Sequence, residues 1–182
     1  MPHLFFTDDE YLVIEAASDR LIPGAADADV AEYVDGLLGA FAVDPPRIWA
    51  GGPYSGRRGG DAGFATFTVL SPLDELAWRT RIEGSLGISE REFNGPVLGL
   101  QERYRDGLAA LGAGFAALDG DEQDERLRAT AGFTELLYEH VCEGMYGAPE
   151  YGGNRDLVGW RSIGFEGDVQ PRGYTDDEVS LP

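Results

Sequence analysis

Apolar side chains recur three and four residues apart along most of this chain, and this spacing limits its fold more than any other feature. The first such segment opens with Thr-Asp-Asp-Glu at residues 7–10, a capping box in which the threonine caps a helix and the glutamate reaches back. Pro23 and Gly24 end this helix. The same period predicts a second helix over residues 27–41, with Tyr33 and Leu37 among the residues of its apolar, core-facing side.

Three further helices are predicted in the second half of the chain. Ser-Pro-Leu-Asp at residues 71–74 starts one that reaches about Leu86, with Leu73, Leu76, Ala77 and Ile82 predicted to face inward. Another follows Gly95-Pro96 and ends at Asp-Gly-Asp, residues 119–121, and the last covers residues 122–143. The pattern therefore predicts an all-α fold, an irregular bundle of about five helices in a single domain, residues 1–182, whose helical body spans residues 7–143.

A Gly/Pro-rich insertion interrupts the helical body at residues 43–70. It contains Pro45-Pro46 and a glycine-rich run at residues 51–60, and residues 64–69 could form a short strand. Loops of this length are usually functional or mobile. We therefore expect the insertion to contribute to recognition.

The C-terminal arm, residues 145–182, mixes large aromatic side chains with glycines and has neither a helical nor a strand period. Such a segment cannot bury its own rings in a regular element. Tyr146, Tyr151, Trp160 and Phe165 must therefore pack on the body of the protein or on a partner. Both outcomes are compatible with the sequence, and docking on a partner is the interpretation we favour.

Composition excludes several classes of function. Acidic residues number 33 and basic residues 14, a formal net charge of −19, which argues against binding nucleic acid or anionic membrane. The chain has no lysine, so Schiff-base chemistry and a P-loop are excluded. Its single cysteine, Cys142, excludes an internal disulfide and is interpreted as a small core residue. No apolar run approaches the ~20 residues of a membrane span.

No constellation of residues in the sequence supports catalysis. His140 lies among Glu135, Glu139 and Glu143, but a di-iron bundle needs Glu-x-x-His pairs, and the residue three before His140 is Leu137. We therefore interpret the glutamates as a solvated acidic face. We therefore predict no catalytic residue and no metal ligand in this chain.

Three groups of motifs, in order, carry a family resemblance. Near the start is Leu-Ile-Pro-Gly at residues 21–24, and in the middle is Tyr-Arg-Asp-Gly-Leu at residues 104–108. The arm contributes Pro-Glu-Tyr-Gly-Gly-Asn at residues 149–154, then Gly159-Trp160 and Ile-Gly-Phe at residues 163–165. Together they resemble the gluconate 2-dehydrogenase subunit 3 family, the small or gamma subunit of that enzyme.

The resemblance implies a non-catalytic, chaperone-like small subunit. Its partner in the heterodimer would be a large FAD-containing subunit of the glucose–methanol–choline (GMC) type, which oxidises a sugar, a sugar acid or another alcohol. Some complexes of this family add a cytochrome c subunit with haem c. The small subunit itself would hold no cofactor, and would support folding, FAD loading or export of the large subunit.

We expect the insertion and the arm to supply the partner-binding residues. From the insertion these are Trp49, Tyr54 and Arg57. From the arm they are Tyr146, Pro149, Tyr151, Gly152, Gly153, Asn154, Trp160 and Phe165. Tyr151 and Trp160 would be the anchors, and Asn154 would hydrogen-bond the backbone in a tight turn.

Two other functions remain open on the sequence. One is a stand-alone helical protein that binds a small ligand or a metal, or acts as an enzyme, on the acidic face near His140. The other is a self-associating protein whose arm is exchanged between copies. The N-terminus has no basic region and no twin-arginine signal, so we expect a cytoplasmic protein or one exported with its partner.

Overall fold

A computed structural model describes residues 2–46, 48 and 70–165, and in these residues the chain forms α-helices, short 3-10 turns and no strand. The helices are α1 Asp8–Leu21, α2 Val30–Leu38, α3 Pro72–Glu83, α4 Leu100–Leu111, α5 Gly120–Ala129, α6 Ala131–Tyr146 and α7 Val158–Ser162. The 3-10 turns are Ala40–Ala42, Ser89–Arg91, Phe115–Ala117, Pro149–Tyr151 and Arg155–Leu157. The predicted all-α fold is confirmed.

Capping boxes start three of these helices. The Thr7 hydroxyl accepts from the backbone N–H of Glu10 at 3.3 Å, and the Glu10 carboxylate accepts from the N–H of Thr7 at 2.8 Å. Ser71 forms the same reciprocal pair with the third residue of α3. Asp119, predicted only as a break, caps α5 in the same way. A capping side chain satisfies donors that the first turn of a helix leaves unpaired.

Three predicted helix boundaries are wrong for local reasons. The helix predicted between Gly95-Pro96 and residues 119–121 ends at Leu111, because Gly112 adopts a positive φ of 85°. The second helix begins at Val30 rather than near residue 27, because Asp29 adopts the left-handed conformation with φ 60°. The last predicted helix, residues 122–143, is two helices that meet at Thr130 (φ −108°, ψ 38°), where the threonine hydroxyl donates to the carbonyl of Arg126 at 2.9 Å. Splitting this helix raises the helix number above the predicted five.

Helix α3 is less buried than its pattern predicts. It ends at Glu83, before the predicted Leu86, and Leu73, which we predicted to face inward, is 73% exposed. Ala77 is exposed as well, whereas Ile82 is fully buried. Helix α3 therefore contacts the body mainly through its C-terminal half.

Helix α6 lies at the centre of the fold and contacts α1, α2, α4, α5 and α7. The largest fully buried side chains of the core are Tyr104, Phe115, Ile14, Leu38, Ile82, Leu111, Leu137 and Met145. Burial of such side chains contributes about 1.5–3 kcal/mol each. The core thus joins the first two helices to the second half of the chain.

Asp35 on α2 fastens the N-terminal segment to this core. Its buried carboxylate accepts hydrogen bonds from the backbone N–H groups of Leu4 at 2.7 Å, Phe5 at 3.0 Å and Phe6 at 2.9 Å. Such charge-assisted bonds compensate the cost of burying a carboxylate.

Part of the predicted organisation lies outside the described residues. This holds for the possible strand at residues 64–69 and for most of the insertion. The single-domain interpretation stays a prediction. None of the described helices has the length and apolar character needed to cross a membrane.

Candidate partner-binding site

The C-terminal arm folds back on the helical body through Asn154. This side chain is fully buried, and its backbone is left-handed, with φ 41°. The amide nitrogen Nδ2 donates to the carbonyl of Gly147 at 2.9 Å, and Oδ1 accepts from the N–H of Gly159 at 3.0 Å. Asn154 therefore clamps both ends of the turn, in the role that the sequence predicts for it.

Two glycines let the arm lie directly on α6. A Cβ on Gly153, whose φ is +70°, would overlap the carbonyl of Gly144, and a Cβ on Gly159 would overlap the carbonyl of Met145. Backbone-to-backbone contact of this kind excludes every other residue type. The predicted arm without regular structure is therefore corrected: α6 extends to Tyr146, and residues 149–162 form short helical turns packed on the body.

Arg155 ties the arm to the start of α2. Its backbone N–H donates to the carbonyl of Ala28 at 2.9 Å, and its guanidinium forms an ion pair with Asp29. Asp29 also accepts from the hydroxyl of Tyr11 at 3.2 Å. The arm thus spans α6 and α2 and holds them in a fixed relation.

Trp160, predicted as an anchor for the partner, is partly buried against its own chain. Its indole Nε1 donates to the carbonyl of Tyr146 at 2.8 Å. Its ring contacts Phe165 edge to face with centroids 5.0 Å apart, and Phe165 remains 46% exposed. Trp160 therefore supports the arm, while Phe165 presents apolar surface to solvent.

A large groove opens between α2, α3, the end of α6 and the arm. Its volume is about 950 Å³. Among the described residues it is lined by Glu32, Tyr33, Gly36, Leu37, Ile48, Trp78, Cys142, Glu143, Tyr146, Gly147, Pro149, Tyr151 and Gly152. We call this surface the aromatic groove, because four of its side chains are tyrosine or tryptophan.

The charged side chains that line the aromatic groove, among the described residues, are both carboxylates. The hydroxyl of Tyr33 donates to Oε2 of Glu143 at 2.7 Å. Burial, and then this hydrogen bond, raise the pKa of Tyr33 well above its ordinary value, so the phenol stays a neutral donor. Glu32 is the second carboxylate on the wall. The groove therefore offers rings to apolar groups and carboxylates to a cation.

The predicted partner-binding residues fall into four groups. Four line the aromatic groove: Tyr146, Pro149, Tyr151 and Gly152. Gly153 and Asn154 lie beneath it and hold the arm in place, while Trp160 and Phe165 lie farther along the arm. Trp49, Tyr54 and Arg57 are outside the described residues.

Sequence reasoning missed the wall of the groove that α2 and α3 supply. Tyr33 and Leu37 were assigned to the core face of α2, yet both are only partly buried. Cys142, predicted as a core residue, is half-buried and lines the groove. A usable signal was Trp78, a large aromatic on a helix with few other apolar residues.

The glutamates near His140 form a solvated face, as predicted, but the histidine is not part of that face. Glu135, Glu139 and Glu143 are exposed, whereas the His140 ring is buried and its Nδ1 lies 2.7 Å from the hydroxyl of Tyr104. His140 therefore does not join the exposed carboxylates. Within the described ranges no three His, Cys, Asp or Glu side chains are grouped closely enough to hold a metal ion.

Comparison with known proteins identifies the family of this chain. The family model of gluconate 2-dehydrogenase subunit 3 matches residues 8–167, most of the chain and all of the motifs that carry the resemblance. No curated protein and no solved structure matches. The chain therefore belongs to the gluconate 2-dehydrogenase subunit 3 family.

Proposed function

We propose that this chain is the non-catalytic small subunit of a dehydrogenase complex, and that it binds and stabilises a large FAD-containing subunit of the GMC type. Family membership implies a subunit of a multi-subunit dehydrogenase. On this proposal the flavin belongs to the large subunit, which oxidises a sugar or another alcohol, and any haem c belongs to a third subunit. The small subunit stays in the cytoplasm or leaves it together with its partner.

The aromatic groove is the observation that supports this proposal most strongly. Its volume of about 950 Å³ is enough for several side chains of a partner. Tyrosine and tryptophan, which dominate its walls, are the residues that most often supply the binding energy of protein interfaces. A large concave apolar surface on a soluble protein usually marks a binding site.

The charge of the groove indicates what occupies it. Glu32 and Glu143 place two carboxylates on its walls, and the chain as a whole has a formal net charge of −19. A complementary partner segment carries apolar side chains for the rings and an arginine or lysine for the carboxylates. We therefore assign the groove to such a segment of the flavoprotein.

The arm orders the walls of the aromatic groove in the absence of a partner. Tyr146, Pro149 and Tyr151 belong to the arm or its junction with α6. The bonds of Asn154 fix the turn of the arm, and Arg155 binds the arm to the start of α2. A surface that is already ordered loses less conformational entropy on binding. This gives the arm a role in its own fold and in partner binding.

Filling the groove from within tests the assignment. Gly36 lies on α2 in the groove wall, and a Cβ there meets no atom within 4 Å. Gly36→Leu should leave the fold intact, since leucine favours a helix over glycine by about 0.5–1 kcal/mol. The leucine occupies groove volume, so affinity for the co-expressed flavoprotein should fall about tenfold or more in a pull-down titration.

Gly132→Leu is the matched control. Gly132 also lies on a helix with open space around its Cβ, but it is outside the aromatic groove. It should bind the flavoprotein as the wild type does. If Gly36→Leu keeps its melting temperature and also keeps wild-type affinity, the groove is not where the partner binds.

A further inference from the structure

A second, smaller cleft lies between α3, α4 and α6. Its volume is about 400 Å³, and its charged and polar lining includes Arg81, Arg103, Glu139 and His140. Two guanidinium groups meet here against one carboxylate from the described residues, in a chain that is otherwise strongly acidic. Arg103 forms no ion pair within the described residues. The Cζ atom of Arg81 lies 5.4 Å from the centroid of the Trp78 ring, and Arg81 also forms no ion pair with a described residue. We call this surface the arginine cleft.

His140 forms the floor of the arginine cleft and is only 2% exposed. Its Nδ1 lies 2.7 Å from the hydroxyl of Tyr104, which is itself fully buried. This contact fixes the ring and leaves Nε2 as the ring nitrogen available to a ligand in the cleft. The contact thus gives the cleft an oriented imidazole, and the same cleft is lined by Arg81 and Arg103.

We propose that the arginine cleft binds a small oxyanion through Arg81, Arg103 and Nε2 of His140. Guanidinium groups bind carboxylates and phosphates through paired charge-assisted hydrogen bonds. Among the side chains that line the cleft, two arginines face one carboxylate, Glu139, so an anion is favoured over a cation there. This site is separate from the aromatic groove and does not depend on the flavoprotein.

Binding of the anion takes up a proton. Burial lowers the pKa of His140, so the empty cleft holds a neutral ring at neutral pH. An anion beside Nε2 favours the imidazolium, and affinity therefore rises as the pH falls. The other charged or titratable groups that act on this ring are Arg81 from α3, Arg103 and Tyr104 from α4, and Glu139 and Glu143 from α6.

The test uses the full chain and two probes whose charge is constant near neutral pH. Sodium sulfate stands for a tetrahedral oxyanion and sodium acetate for a carboxylate, each titrated at constant ionic strength against chloride. Nitrogen-detected NMR of the His140 ring and the arginine side chains should show saturable shifts with at least one probe. Sulfate alone identifies a phosphate-type ligand, and acetate alone or both probes include carboxylates; each of these results supports the site.

Three variants distinguish anion binding in the arginine cleft from a nonspecific effect of charge. Arg103→Gln should weaken binding about tenfold, because a charge-assisted contact is lost. Glu139→Gln should tighten it about two- to threefold, because a competing carboxylate is removed. Arg105→Gln, on the same helix but with its guanidinium over the Phe5 ring, should leave the affinity unchanged.

The opposite signs for Arg103→Gln and Glu139→Gln distinguish a site from nonspecific screening. The proposal is overturned if neither anion gives saturable shifts at His140. It is also overturned if Arg103→Gln and Arg105→Gln weaken binding equally.

Discussion

At the scale of single residues, three buried polar side chains connect distant parts of the chain. Asp35 accepts from backbone groups about 30 positions earlier, His140 contacts Tyr104 from 36 positions away, and Asn154 joins Gly147 to Gly159. Each lies in the core and is hydrogen-bonded to its distant partner, as buried polar groups require. Replacing any one of them therefore lowers the free energy of unfolding by more than the buried area of its side chain suggests, because its partner is left without a hydrogen bond.

His140 makes the stability of the fold depend on pH. Its folded-state pKa lies below the ordinary value because burial penalises the charged ring. As the pH falls below about 6.5, the unfolded chain takes up the proton first. The contribution of His140 to the free energy of unfolding is therefore complete above that pH and decreases below it.

Urea unfolding from about pH 7.5 to about pH 5.5 measures this contribution. The free energy of unfolding of the wild type should fall more steeply over this range than that of His140→Asn, which keeps a polar group near Tyr104 and has no titrating ring. Equal slopes for the two proteins would show that His140 is protonated as easily in the fold as in the unfolded chain.

At the scale of elements, the arm depends on the clamp that Asn154 forms. Asn154→Ala loses the bond to the Gly147 carbonyl, leaves the N–H of Gly159 without its acceptor, and keeps a left-handed backbone that alanine disfavours. These terms amount to a loss of about 2–4 kcal/mol in the free energy of unfolding. Urea denaturation followed by tryptophan fluorescence measures it.

Asn94→Ala is the control, because Asn94 is exposed and its amide makes no hydrogen bond within the described residues. The free energy of unfolding of Asn94→Ala should stay within about 0.5 kcal/mol of the wild-type value. A loss no larger in Asn154→Ala would mean that the clamp does not stabilise the arm.

The helices illustrate what the sequence can predict. The capping boxes at Thr7 and Ser71 act within four residues, and both helices begin where their caps predict. The left-handed Asp29 is different, because Tyr11 and Arg155, far apart in the sequence, bond to its carboxylate. The break at Thr130 was missed because threonine is compatible with the middle of a helix as well as with its end.

Only one side of the aromatic groove could be predicted from the sequence, because the other side depends on contacts between residues far apart in the chain. Its arm side follows from a local excess of aromatic residues and glycines, and Tyr146 and Tyr151 were predicted from it. The other side requires α2 and α3 to lie next to the arm. Tyr33 and Trp78 read as ordinary helical residues until that packing is known.

At the scale of the whole molecule, charge and shape indicate the kind of partner. The net charge of −19 favours repulsion between copies of this chain at moderate ionic strength. The same charge attracts a basic partner surface and speeds its association. A subunit of this composition is therefore suited to a hetero-complex more than to self-association through the acidic groove.

The central claim is that this chain binds and stabilises a flavoprotein. The most direct measurement is co-expression with any flavin-dependent oxidoreductase encoded beside it, followed by size-exclusion chromatography with absorbance recorded near the flavin band. We expect both chains to elute together and the flavoprotein to lose bound flavin when this chain is omitted. Separate elution, with a flavoprotein that is flavin-loaded and active alone, would contradict it.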